Sequence, residues 1–196
     1  LIHTVSIQSE PRSNSQVENL ILYKNLKKLL KGNRSDKSLL SHKLIYMLDV
    51  ESRKYSGRSF FEEDNIRFQR EDRGPISVDV YNSLERLESF GLIHKKITKD
   101  VGFTAPRHGY FIDKSRDIKK HKLAEGDMVF LSSVIEDYIN LKQRDLKDAA
   151  YDTEPMRSVI KEERGKGVIK GRDLNMNLVT VDPEIIEIAA QDDEQY

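Results

Sequence analysis

The 196-residue sequence contains no cysteine and no tryptophan. Without cysteine there is no disulfide scaffold, no thiol nucleophile and no thiolate metal site. The same absence fits a reducing compartment, and the expected location is cytoplasmic. No apolar run approaches the ~20 residues that span a bilayer. No apolar stretch follows a basic start, so neither a secretory signal nor a membrane partner is expected. An excess of one charge sign is missing too, since 33 Lys and Arg balance 33 Asp and Glu.

Catalytic spacings are equally scarce. The histidines are His3, His42, His94, His108 and His121, and no two are placed as an H-x-x-x-H pair on one helix. His42, on a helix, reads as a hydrogen-bonded structural histidine. Gly165-Lys166-Gly167 with Lys170-Gly171 lacks the G-x-x-x-x-G-K-[ST] spacing of a phosphate loop and reads as a linker. There is no G-x-S-x-G elbow. Asp49 and Glu51 point to different sides of one helix and cannot cooperate as an acid pair. The chain is therefore expected to be no enzyme, with no catalytic residue, no cofactor and no metal site.

What the chain does have is a charge pattern. Residues 1–36 carry +3, 37–91 −1, 92–123 +6, 124–163 −5 and 164–196 −3. The basic third segment can attract nucleic acid or an acidic protein face. The simpler account is a solvated, lysine-rich loop.

Hydrophobic spacing then sets out the elements. Residues 1–15 are polar and turn-rich and read as a flexible arm. Apolar residues from Gln16 to Leu30 predict a largely buried helix that Gly32-Asn33 stops. A second helix starts near Ser35 or Asp36 and ends at Gly57, with a stripe of Leu40, Leu44, Met47, Leu48 and Tyr55. On its outer face Asp49 and Arg53 are spaced to pair. Ile66, Phe68 and Arg70 share one side of a short strand. Gly74-Pro75 reads as a turn. Ser77 caps a third helix, with Asp79 in its first turn and Val80, Tyr81, Leu84 and Leu87 as its buried stripe. Gly91 stops it, and Leu92–Thr98 and Gly109–Asp113 form a hairpin. A fourth helix spans Glu125–Leu141. Two short ones follow near Asp145–Ala150 and Glu154–Glu163, with Pro155 in the first turn of the latter. After Arg164 the periodicity fails. The expected organisation is an arm (1–15), one globular domain (16–163) and a flexible or partly ordered extension (164–196). The fold class is α+β, mainly α-helical, with a small antiparallel sheet of about three short strands.

Two functional readings follow. In the first, the helix and hairpin of residues 77–113 form a winged-helix-like DNA-binding unit, with Lys95, Lys96, Arg107 and His108 on phosphates. Against it stand Asp79, Glu85 and Glu88 on the helix, which would face the phosphate field.

The second comes from Lys43-Leu44-Ile45-Tyr46-Met47-Leu48-Asp49, then Gly57-Arg58, Gly74-Pro75, Tyr81 and Gly91-Leu92-Ile93. In this order and spacing the chain resembles the SocA-like antitoxin, or Panacea, domain over about residues 38–163. It departs from the family's late Thr-His and Pro-x-Trp positions, where Ala150-Tyr151 and Met156 stand. The resemblance implies an antitoxin that neutralises a partner toxin by direct binding. Tyr46, Asp49, Gly57, Gly74, Pro75, Tyr81 and Gly91 are then scaffold positions. The expected partner contacts are Lys95, Lys96, Arg107, His108, Lys119 and Lys120.

Overall fold

The computed structural model describes residues 37–61, 66–98, 107–112 and 125–187. The expected arm, the Gln16–Leu30 helix, and Lys119 and Lys120 lie outside the described residues.

A single helix organises the core. Helix α1 (Lys37–Ser56) is buried continuously from His42 to Val50. A helix buried all round needs neighbours on every side. Helices and strands from four later parts of the chain supply them. Gly57 ends α1 at φ +72°, its N–H bonded to the Arg53 carbonyl at 2.9 Å. The buried stripe ends sooner than its spacing predicts: Tyr55 is exposed, because the last turn of α1 runs past the core edge. Asp49 is the opposite case. It is not on an outer face but buried, because the segment after Gly57 folds back over it.

Strand β1 (Gln69–Glu71) pairs with β2 (Gly74–Ile76), Arg70 opposite Pro75. Gly74-Pro75 is thus a strand and not a turn; the turn is Asp72-Arg73. Proline is tolerated because β2 is an edge strand, where no ladder N–H is required of it. Gly74 sits at φ +121°, and a Cβ there would stand 3.0 Å from Lys43 Cε. The positive φ favours glycine, and an added Cβ would have to displace the Lys43 side chain.

Helix α2 (Val78–Ser89) begins as expected. Ser77 is its N-cap and accepts from the Val80 N–H at 3.5 Å. Val80, Ser83, Leu84 and Leu87 are buried, while Tyr81 is only half-buried. The helix closes in a Schellman motif: Leu92 N–H bonds Leu87 O, Gly91 N–H bonds Glu88 O, and Gly91 takes φ +66°. Strands β3 (Ile93–Thr98) and β4 (Arg107–Ile112) then form a separate two-stranded sheet.

Helix α3 (Glu125–Ile139) packs on α1, burying Leu131, Val134 and Ile135. Helices α4 (Gln143–Tyr151) and α5 (Glu154–Glu163) follow, with Pro155 in the first turn of α5. The stretch after Arg164 is part of the packing. Strand β5 (Arg172–Asp173) joins the other edge of β1, giving the order β2-β1-β5. Leu174 and Met176 enter the core. The Asp182 N–H also bonds the Lys54 carbonyl at the end of α1.

The fold is therefore mainly helical α+β with a small three-stranded antiparallel sheet. Its third strand comes from the tail, whereas the expected hairpin stands apart as its own sheet.

Candidate functional site

Two of the expected scaffold positions, Tyr46 and Asp49, lie where buried polar groups tie segments together. Tyr46, fully buried on α1, shares a 2.6 Å hydrogen bond with Thr153 Oγ1 at the α4–α5 junction. Thr153 is the N-cap of α5, yet its hydroxyl turns inward and donates to Ala150 O at 2.7 Å. The Tyr46 ring meets Phe68 edge-on, centroids 5.2 Å apart. Burial pushes the Tyr46 hydroxyl pKa well above its ordinary value. Asp49 receives the Phe60 N–H and Arg53 Nε, each at 3.0 Å, together with the Ser59 hydroxyl. It therefore anchors the segment that follows Gly57.

His42 is fully buried against Tyr81, with ring centroids 4.1 Å apart. Its Nδ1 accepts from the Ser77 N–H at 3.3 Å, while Nε2 is buried without a hydrogen-bond partner. Desolvation lowers its pKa from 6.5 to about 4. The ring is neutral at pH 7 and structural, as its place on a helix suggested.

Arg70 and Glu163 form a buried ion pair that the sequence reading missed. Arg70 Nη2 donates to Glu163 Oε2 at 3.2 Å, and Nε lies 3.1 Å from Oε1 without hydrogen-bond alignment. Arg70 Nη1 also donates to Tyr151 Oη at 3.0 Å. The alternation Ile66, Phe68, Arg70 did put this arginine on the inner side. A buried charge demands a partner. Nothing in the spacing singles out one carboxylate among the 33 in the chain.

Of the basic residues expected as contacts, Lys95, Lys96, Arg107 and His108 lie on the two strands of the hairpin. Lys96 is exposed and Lys95 half-buried on β3. Lys96 pairs with Gly109 and Lys95 with Tyr110, so strand alternation puts position 107 on the Lys96 face and position 108 on the Lys95 face. On α2, Glu88 accepts the Lys95 N–H at 3.2 Å, a carboxylate role in holding the hairpin.

A cleft of about 340 Å³ lies between α1 and the α4–α5 junction, lined by Lys54, Tyr138 and Arg157 among others. Its charged groups are paired within the fold. Arg157 binds Asp152 at 2.6 Å and Glu154 at 3.0 Å. Tyr138 donates to Glu51 at 2.8 Å.

A larger groove of about 650 Å³ opens between the end of α1 and the start of α3. Tyr55, Phe60, Val129 and Phe130 supply its apolar wall, and Glu125 and Asp127 also line it. Phe60 stacks on Phe130 at 5.9 Å, and Tyr55 approaches Phe130 at 5.8 Å. Tyr55 is 60% and Val129 66% exposed, so these two face solvent, while Phe60 and Phe130 are partly buried against the core. No motif in the sequence marked it, because its walls come from separate segments.

Among the described residues no cluster of three or more His, Cys, Asp or Glu is placed to hold a metal. No described helix is long and apolar enough to cross a membrane.

No curated protein and no solved structure matches the chain. The family model for the antitoxin SocA-like, Panacea domain matches residues 42–155. That span runs from His42 on α1 to Pro155 in α5 and includes all seven expected scaffold positions. The chain belongs to the SocA-like antitoxin, Panacea-domain family.

Proposed function

We propose that this protein is a non-enzymatic antitoxin that neutralises a partner toxin by direct protein–protein binding. The observation that carries the reading is the family match, which spans most of the packed core. The side chains that could do chemistry point the same way. Tyr46, Asp49, Arg70 and Glu163 are all engaged in holding segments together. With these side chains engaged in the scaffold, function is left to the surface.

The basic positions Lys95, Lys96, Arg107, His108, Lys119 and Lys120 are proposed as contacts that steer an acidic face of the toxin onto the domain. A specific, lasting complex should bury on the order of 1,200–2,000 Å². Co-expression with the product of the adjacent gene tests the reading. The expected outcome is a toxic neighbour, growth restored by this protein, and a complex that co-purifies. A neighbour harmless on its own, or still toxic beside abundant folded protein, overturns it.

A further inference from the structure

We infer that the aromatic groove between α1 and α3 is a second docking surface for the partner, separate from the basic positions, and that its occupant is an amphipathic, lysine- or arginine-rich helical segment of that partner. The inference rests on the antitoxin reading and adds the site and the chemistry of what enters it.

The groove is apolar at its centre. Phe60 and Phe130 are stacked, Tyr55 leans on Phe130, and Val129 projects from the facing helix. Exposed apolar residues gathered into one patch mark interaction surfaces more often than single ones do. Aromatic rings already locked against one another lose little freedom on binding, which makes them effective anchors.

The α3 wall is acidic. Helix α3 carries Glu125, Asp127, Glu136 and Asp137 and no Lys or Arg. The first two are favourable at a helix N-terminus, where the macrodipole is positive. Asp137 lies in the last turn, at the negative end, where an acidic group costs helix stability, and Glu136 stands beside it. A second hollow of about 480 Å³ continues the groove along α3, sharing Glu125, Val129 and Ser133 and adding Glu136 and Asp137. Apolar anchors and negative charge therefore run together along the helix.

This combination selects the occupant. Nucleic acid is repelled by the carboxylates. A second copy related by a two-fold axis would set one acidic α3 against another. The groove walls come largely from helices and offer no open strand edge for β-addition, so an amphipathic helix laid along the groove is the matching mode. Its apolar face meets Tyr55, Phe130 and Val129, and its flanking cations meet the acidic face of α3.

The test uses the full chain and a fluorescein-labelled Leu/Lys amphipathic peptide of about five helical turns. Fluorescence anisotropy is the readout. The Leu/Lys peptide should bind. Its Leu/Glu counterpart and a Ser/Lys version without apolar anchors should not. Val129→Arg should weaken binding by roughly tenfold or more. Val168→Arg, at an exposed valine outside the groove, should leave it unchanged. Tyr55→Ser attacks the groove from α1 and should weaken binding likewise, and melting curves check that each variant is folded. Equal binding by wild type and both groove variants overturns the inference, as does equal binding of the Leu/Glu peptide. A wild-type dimer that Val129→Arg dissociates also overturns it, because the occupant is then a second copy. The growth assay separates the two levels. Rescue by wild type and equally by Val129→Arg rejects the groove but keeps the antitoxin reading. No rescue by wild type rejects the antitoxin reading itself.

Discussion

Lowering the pH should unfold this domain through His42 before it does so through most of its carboxylates. The ring is fully buried, and desolvation sets its pKa at about 4 against 6.5 for a free imidazole. The unfolded chain therefore binds a proton that the folded chain refuses. Stability from this residue is complete above about pH 6.5 and is lost as pH falls toward about 4. At 1.36 kcal/mol per pKa unit the full effect is about 3 kcal/mol. Between about pH 7.5 and about pH 4.5 the loss is about 2–3 kcal/mol. There is a local reason as well. Nδ1 must stay unprotonated to accept the Ser77 N–H at the start of α2. Protonation turns that acceptor into a donor facing a donor. Urea unfolding across this pH range, on wild type and His42→Gln, measures the effect. The glutamine cannot titrate, so the variant should lack this share of the acid loss, and the carboxylate contributions cancel in the difference. Identical pH profiles for the two proteins would refute the reasoning.

Further outcomes are expected from the core and the buried ion pair. Leu84→Ala should cost about 2–4 kcal/mol in denaturant unfolding, as for other large-to-small changes at fully buried sites. Tyr46→Phe keeps the ring against Phe68 and loses the bond to Thr153, so it should cost only about 1 kcal/mol, whereas Tyr46→Ala should cost about 3 kcal/mol or more. Glu163→Gln leaves Arg70 buried without its counter-charge, and a loss of about 3 kcal/mol is expected; an unchanged midpoint would mean that the pair contributes nothing. Gly74→Ala should lower the melting temperature, since it forces a Cβ onto Lys43 at a left-handed backbone.

The helices and their stops were legible because each has a local signal. Ser77 caps α2, Gly57 and Gly91 close helices at positive φ, and Pro155 fits a first turn. Periodicity also placed Val80, Leu84 and Leu87 inside. It failed where burial depends on what folds over a helix. Asp49 follows an outward position in the α1 pattern, but residues 59 and 60 return to cover it. Tyr55 continues the inward row, but the helix has left the core by then. The strand Arg172–Asp173 is too short for any alternation to show, and Leu174 and Met176 carry no period of their own. The groove was invisible for a related reason. Its rings at 55, 60 and 130 come from separate parts of the chain, and only folding puts them in contact.

The central claim is that this family member neutralises a toxin by binding it. The most direct measurement is growth of cells expressing the adjacent gene, with and without this protein, followed by size-exclusion chromatography of the pair. The account predicts growth arrest by the neighbour alone, recovery on co-expression and a single co-eluting complex. Continued arrest beside abundant folded protein, or recovery with the two proteins eluting apart, would contradict it.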